Sequence, residues 1–354
     1  TMKFFHTADV HLGAEPDRGF PWSRDRSREI WESFRNVIRQ AGAEHADLFL
    51  IAGDLFHRQP LARELKEVNA MFASIPETKI VIMAGNHDYL KKNCAYRKFP
   101  WAQNVFWFWD TVPKTLEFPD LGVSVCGLSY DRKEIAEPLY DPIKARGSQP
   151  FQILLAHGGD EKHIPFSKEK LLSGGFDYIA LGHIHKPQVL VPDKMAYAGA
   201  LEPIDKNDTG VHGYIQGEYR DGVLRTRFLP AAKREYKKLK IQVTENTTQF
   251  LLEQAVKAAV RERGEKNFFC ISLEGRKEPG TEFLTENLYA LGNIREAEDK
   301  TFPAYEKERL KKQYEGTLLE LFISSFPKES ITEEEEKALD YGIEALLEAG
   351  EENQ

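Results

Sequence analysis

Lys79-Ile80-Val81-Ile82-Met83-Ala84-Gly85-Asn86-His87-Asp88 is the stretch from which the rest of the chain can be read. A short apolar run rich in β-branched residues predicts a buried strand, and the glycine ends it. An amide, an imidazole and a carboxylate follow at once. Loops at the carboxyl ends of strands are where α/β folds place their chemistry. Folding alone gives little reason for Asn-His-Asp at such a point.

The same pattern precedes it twice. Lys3 to Val10 predicts a strand ending in Ala8-Asp9-Val10-His11-Leu12-Gly13, and Asp47 to Ala52 predicts another, ended by Gly53-Asp54. Between them Ile30, Phe34, Val37, Ile38 and Ala41 mark one buried helical face, preceded by an arginine-rich loop (Arg18, Arg24, Arg26, Arg28). Leu61, Leu65, Val68, Phe72 and Ile75 mark a second helix. Strand–loop units separated by helices predict an α/β layered fold.

Downstream, Val123 to Leu128 predicts a strand, and Asp131 to Arg146 a loose helix or loop. Strands over Phe151 to Ala156 and Asp177 to Leu181 end in His157-Gly158-Gly159 and Gly182-His183-Ile184-His185. Short strands run from Gln188 to Pro230, with Asp221-Gly222 as a hairpin turn. The charged stretch from Ala231 to Lys240 predicts a domain boundary. Residues 1–232 then form one domain, 233–304 a smaller strand–helix–strand unit, and 305–354 a helical segment. Leu339, Ile343, Leu346 and Leu347 mark the face of the last helix.

The hydrophobic fraction of 41% and the charged fraction of 29% predict a globular protein. No apolar run approaches the roughly 20 residues that span a bilayer, so no membrane is expected. The chain runs from Met2 directly into a strand-like segment, which predicts no secretory leader. Cys94, Cys126 and Cys270 lie far apart, which suits a reducing cytoplasm and excludes a CxxC thiolate site. A net charge of −8 argues against gripping nucleic acid by bulk charge. From Glu329 onward, however, the chain carries ten carboxylates against one lysine, so the remainder is close to neutral.

Five strand ends thus deliver Asp9 and His11, Asp54, Asn86 and His87, His157, and His183 and His185. Any one of these could be a capped turn. Five in one chain, all after apolar strands, point to a shared site. Carboxylate, amide oxygen and neutral imidazole without thiolate suit Mn²⁺, Fe²⁺ or Zn²⁺. Even with His87 set aside, seven donors exceed what one open catalytic ion needs, which predicts two ions able to clamp a phosphoryl centre. His6 and His57 read as packing or outer hydrogen bonding, and His45, His163 and His212 have no such context.

These blocks resemble the calcineurin-like metallophosphoesterase superfamily over residues 2 to about 230. His6-Thr7-Ala8-Asp9-x-His11-Leu12-Gly13 and Gly53-Asp54-Leu55-Phe56-His57 resemble, within it, the SbcD-type nuclease subunit of the bacterial DNA-break-repair complex. The resemblance implies a four-layer α/β/β/α sandwich with a smaller α+β capping domain and terminal helices. It implies one metal on Asp9, His11 and His185, a second on Asn86, His157 and His183, and Asp54 between them. Mn²⁺ is the implied ion, with Fe²⁺ or Zn²⁺ as alternatives. His87 would protonate the leaving oxygen, with Asp88 orienting it, after in-line attack by a hydroxide shared by the ions. The implied activity is 3′→5′ exonuclease and single-strand endonuclease action in DNA repair or recombination. The implied partners are a second copy, joined through the early helices, and an SMC-like ABC-type ATPase of the SbcC type, bound by the C-terminal helices.

Lys91, Lys92 and Arg18 lie beside the motifs and are candidate DNA contacts. Phe106-Trp107-Phe108-Trp109 could stack bases, but alternating bulky residues in a strand read as core. The alternatives are a metallophosphoesterase acting on a small phosphodiester or phosphomonoester, and a scaffold with a vestigial site. A protein Ser/Thr phosphatase is disfavoured by Leu55-Phe56-His57-Arg58 after Gly53-Asp54 and by Asp88. Retention of every expected ligand disfavours the scaffold.

Overall fold

The computed structural model describes residues 1–327 and 331–351, so residues 328–330 and 352–354 of the expected helical segment lie outside the described residues. The chain divides into two compact units, Thr1–Tyr236 and Lys237–Gln354. The division falls slightly beyond the expected 232/233 boundary, and the helices after 305 cluster with the smaller unit instead of standing apart.

In the first unit, β1 (Met2–Thr7), α1 (Ser23–Ala43), β2 (Leu48–Ala52), α2 (Ala62–Ala73), β3 (Lys79–Met83), α3 (Ala95–Lys98) and β4 (Val105–Trp107) come first. Then follow β5 (Lys114–Phe118), β6 (Val123–Gly127), β7 (Phe151–His157), α4 (Lys168–Leu172), β8 (Tyr178–Gly182), β9 (Gln188–Val191) and β10 (Met195–Tyr197). The hairpin β11 (Gly213–Arg220) and β12 (Val223–Pro230) closes the unit, turning at Asp221-Gly222, both at positive φ. One sheet runs β12-β11-β1-β2-β3-β4 and the other β5-β6-β7-β8-β10-β9. β1, β2, β3 and β4 pair in parallel, as do β6, β7 and β8.

Strand periodicity sorts the core. Phe4, Leu48, Leu50, Val81 and Met83 join Val125, Ile153, Leu155 and Tyr178 of the second sheet in one cluster. Their sequence neighbours Phe5, Phe49, Ile51, Ile80 and Ile82 join Ile30, Phe34, Val37, Leu65, Val68 and Phe72 of α1 and α2 in another. Alternate residues of each strand therefore face a sheet and a helix layer, as a period of two requires. β6 and β8 of the second sheet are buried at every position, with Tyr140, Ile143, Leu171 and Phe176 packed in the same cluster. Gln152 of β7 accepts the Gly147 N–H of the irregular stretch after β6, and Leu171 comes from the five-residue α4.

Arg24, Arg26 and Arg28 are not in a loop, because α1 already begins at Ser23. Arg26 is fully buried, bonded to Glu29 at 2.6 Å and Glu202 at 3.1 Å, which disqualifies it as a surface contact. Trp107 and Phe108 are core residues.

The smaller unit holds β13 (Tyr236–Val243) from its second residue on, α5 (Gln249–Arg263), β14 (Phe268–Lys277), β15 (Ile294–Asp299) and β16 (Phe302–Pro303), with β14 central. α6 (Lys307–Gln313), α7 (Leu318–Ser324) and α8 (Glu333–Glu351) follow. The first part of the expected helical segment is not one helix but two, broken before Thr317, where Gly316 takes φ 78°. Leu339 and Ile343 of α8 pack on Leu319 and Ile323 of α7. Among the described residues, no helix is long and apolar enough to cross a membrane.

Candidate metal centre

The carboxyl ends of β1, β2 and β3 in one sheet face those of β7 and β8 in the other. Past the strand ends the β1–β2 pairing continues, with Asp9 N donating to Gly53 O at 3.1 Å and His11 N to Asp54 O at 3.0 Å. Four of the seven expected ligands sit at positive φ: Asp9 (47°), His11 (52°), Asp54 (51°) and His183 (98°). Such backbones cost on the order of 1–3 kcal/mol each and gather at functional sites. Gly53, at φ 83°, lets the ring of His157 approach, since a Cβ there would meet His157 Nδ1 at 2.3 Å.

The tertiary fold brings all seven together. His11 Nε2 lies 3.1 Å from His185 Nε2, and ligand atoms of Asp9, His11 and His185 fall within 4.8 Å of one another. Asn86 Oδ1 lies 2.9 Å from His157 Nε2 and 3.1 Å from His183 Nδ1. Asp54 Oδ2 stands between the groups, 3.9 Å from His11 Nε2 and 3.5 Å from His157 Nε2. Its other oxygen accepts the His87 N–H at 2.9 Å, while Asp9 accepts the His183 N–H.

Each of the four converging imidazoles has its second nitrogen engaged on the outside. His185 Nδ1 bonds Asp208 at 3.0 Å, His183 Nε2 bonds Asp160 at 2.6 Å, and His157 Nδ1 bonds Ala52 O at 2.8 Å. His11 Nδ1 lies 3.3 Å from His57 Nδ1. A ring held on one nitrogen presents the other inward, as metal-ligating histidines do.

The electrostatics fit a cation. Burial pushes the Asp9 carboxyl up, against the pull of His157 and His185 and helped by the nearby Asp54. Burial also works against Asp54, but His157, His11 and His87 outweigh it and hold it well below the usual range. Burial holds His11 well below its ordinary value and, with the His157 charge, brings His183 down to about 4. His157 and His185 are raised to about 9, because Asp54 in the one case and Asp208 with Asp9 in the other overcome burial. Two buried carboxylates among inward imidazole nitrogens form the hard-oxygen and imidazole donor set of a divalent ion.

His87 lies beside this centre. Its Nδ1–H donates to His57 O at 3.2 Å, and its ring stacks on His57 and meets His11 edge-on, with centroids 5.0 and 4.9 Å apart. Asp88 does not orient it. That carboxylate accepts Gly85 N at 2.8 Å, Phe56 N at 3.1 Å and Tyr96 OH at 3.2 Å, so it ties together the loops after β2 and β3.

His6 is a packing residue, bonded to Tyr178 OH and Leu181 O. His57 has the outer hydrogen-bonding role expected of it, whereas Asp160, His163 and Asp208 touch the site without a sequence signal that singled them out. Only the Gly-Gly-Asp run after His157 hinted at Asp160; Asp208 follows no motif. Lys91 and Lys92 are exposed, with Lys91 Nζ 5.3 Å from the Tyr89 ring. Arg18 is exposed but paired with Glu15, which lowers its value as a phosphate contact.

Residues 2–187 match the calcineurin-like phosphoesterase family. The chain is 30% identical over 298 residues to an uncharacterized metallophosphoesterase, YhaO, of Bacillus subtilis, covering 77% of this chain and 72% of that one. It is 28% identical to the DNA double-strand break repair protein Mre11 of Methanocaldococcus jannaschii, over 58% of each chain. The Mre11 of Aeropyrum pernix is 29% identical over 60% of this chain and 56% of its own. The match therefore spans little more than half the length of these two Mre11 proteins.

Proposed function

This chain belongs to the calcineurin-like phosphoesterase family of metal-dependent phosphoester hydrolases, and on that premise we propose that it is a two-metal DNA nuclease of the SbcD and Mre11 kind. The observation that carries the reading is the division of the donors into Asp9, His11 and His185 on one side of Asp54 and Asn86, His157 and His183 on the other. Relatives named as DNA double-strand break repair proteins support DNA as the substrate and repair as the setting. The 3′→5′ exonuclease and single-strand endonuclease activities, and a setting in recombination, are part of the proposal. We assign Mn²⁺ as the working ion.

When bound, two divalent ions would supply charge neutralisation at phosphorus and activation of water near neutral pH. The chain's own residues do the rest. The outer hydrogen bonds hold four imidazoles with one nitrogen inward. The Asp54–His87 N–H bond fixes the His87 backbone, and the His57 carbonyl fixes its Nδ1–H. His87 Nε2 then gives its proton to the leaving oxygen.

The proposed partners are a second copy joined through the early helices and an SMC-like ABC-type ATPase of the SbcC type. Leu318 and Leu321, 67% and 62% exposed on α7, are apolar side chains left open to such an ATPase once α7 and α8 have packed on each other. Leu318→Glu with Leu321→Glu should abolish co-purification with it; unchanged co-purification would count against this surface. We place the protein in the cytoplasm.

The test is hydrolysis of end-labelled duplex and single-stranded DNA by the full chain with Mn²⁺, beside His87→Ala and the small diester bis-p-nitrophenyl phosphate. The expected result is DNA cleavage, slowed about 10²–10⁴-fold in the variant with metal content unchanged. Cleavage of the small diester alone would favour the second reading, a small-phosphoester hydrolase. The greater span of the YhaO match is the observation on its side.

A further inference from the structure

His183 and His185 are separated by one residue yet turn opposite ring nitrogens to the centre. His183 presents Nδ1 toward Asn86, and His185 presents Nε2 toward His11. Their outward nitrogens therefore need partners from different parts of the fold, and each finds its own carboxylate.

Asp208 accepts from His185 Nδ1 at 3.0 Å, with the side chain largely buried. Its Oδ2 is fixed by the N–H groups of Ile204 at 3.0 Å and Asp205 at 3.1 Å. Asp160 accepts from His183 Nε2 at 2.6 Å while half-exposed. Its Oδ1 is fixed by Lys162 N at 2.8 Å and His163 N at 3.0 Å, and the His163 ring braces it at 2.9 Å. The other two inward imidazoles lean on uncharged partners, the Ala52 carbonyl and the His57 ring.

A carboxylate on the outer nitrogen fixes the tautomer and makes the inner nitrogen a stronger donor. Each charged outer partner touches one of the inward-facing imidazoles, and each of these two imidazoles belongs to a different side of Asp54.

We propose that Asp208 and Asp160 are positioning residues that each serve one cation position, Asp208 that of Asp9, His11 and His185, and Asp160 that of Asn86, His157 and His183. This rests on the two-metal reading. The two affinities are consequently set by separate surface loops. One of these carboxylates is sheltered and the other open to solvent.

The test is calorimetric titration of the full chain, stripped with EDTA, with Mn²⁺ alone. Wild type should take up two ions. Asp208→Asn should weaken one binding step about 10–100-fold and Asp160→Asn the other, with the double variant weakening both. Both variants weakening the same step, or neither shifting any step beyond about threefold, overturns the assignment. Uptake of fewer than two ions by wild type would instead sink the two-metal reading and this proposal with it. Melting of the stripped variants checks folding. If Asp208→Asn does not fold, Asp160→Asn, on the exposed rim, must still weaken a single step.

Discussion

A β-carbon on Gly85 would stand 2.2 Å from Asp54 Oδ1. It would also lie 2.7 Å from His157 Nε2, so the strand end after β3 can close on the centre only as glycine. Gly85 is not at positive φ, and the objection to alanine is purely steric. Gly85→Ala should therefore push Asp54 and His157 apart and weaken Mn²⁺ binding at least about tenfold, with an overpacking cost of about 1–3 kcal/mol. Titration calorimetry with a thermal melt checks this; full metal affinity in a folded variant would refute the geometry.

Asp88→Ala should behave as a stability variant. It would leave the buried N–H groups of Gly85 and Phe56 without their acceptor, at about 1–3 kcal/mol each. Chemical unfolding of the stripped protein should show a loss of at least about 2 kcal/mol. A pH–rate profile of the remaining folded enzyme should keep its shape. A displaced profile with unchanged stability would restore the expectation that Asp88 orients His87.

His6 gives the first unit a defined acid sensitivity. Burial, only partly offset by the Leu181 carbonyl, lowers it from 6.5 to about 3. Below pH 6.5 the unfolded chain binds a proton that the folded chain refuses. The stability is thus complete above pH 6.5 and is lost as pH falls from there toward 3. At pH 5.5 the loss is about 1.4 kcal/mol. Urea unfolding of wild type and His6→Gln at pH 7.5 and 5.5 measures it; equal losses in the two proteins would refute it.

Charge reversal at Lys91 and Lys92 should weaken DNA binding and flatten its salt dependence, while hydrolysis of bis-p-nitrophenyl phosphate stays unchanged. Both side chains are exposed, and neither belongs to the seven converging donors. An unchanged salt slope would remove the pair from the DNA path.

Much of the fold was legible because its signals are local. Phe4 and Phe5, or Leu50 and Ile51, differ only in which face of a strand they occupy, and the alternation places them in separate cores. The turn at Asp221-Gly222 was legible for the same reason. The start of α1 was misread, since Arg24, Arg26 and Arg28 look like solvated loop charges until Glu202, far along the chain, is folded against Arg26. The break before α7 was missed because Gly316 is only one residue within an otherwise helical pattern.

By itself the sequence determined the donor types and their delivery at strand ends, because strand, glycine and polar loop are consecutive in the chain. Tertiary structure decided what each donor does. It paired His11 with His185 across 174 residues, and it gave His183 and His185 different inward nitrogens. It also recruited Asp160, Asp208 and His57, and assigned Asp88 to the loops instead of to His87. The physical reason is that an imidazole or a carboxylate carries no directional information in the sequence. Its role is set by which partner reaches its outer atoms, and those partners lie in elements that meet only when the two sheets pack face to face.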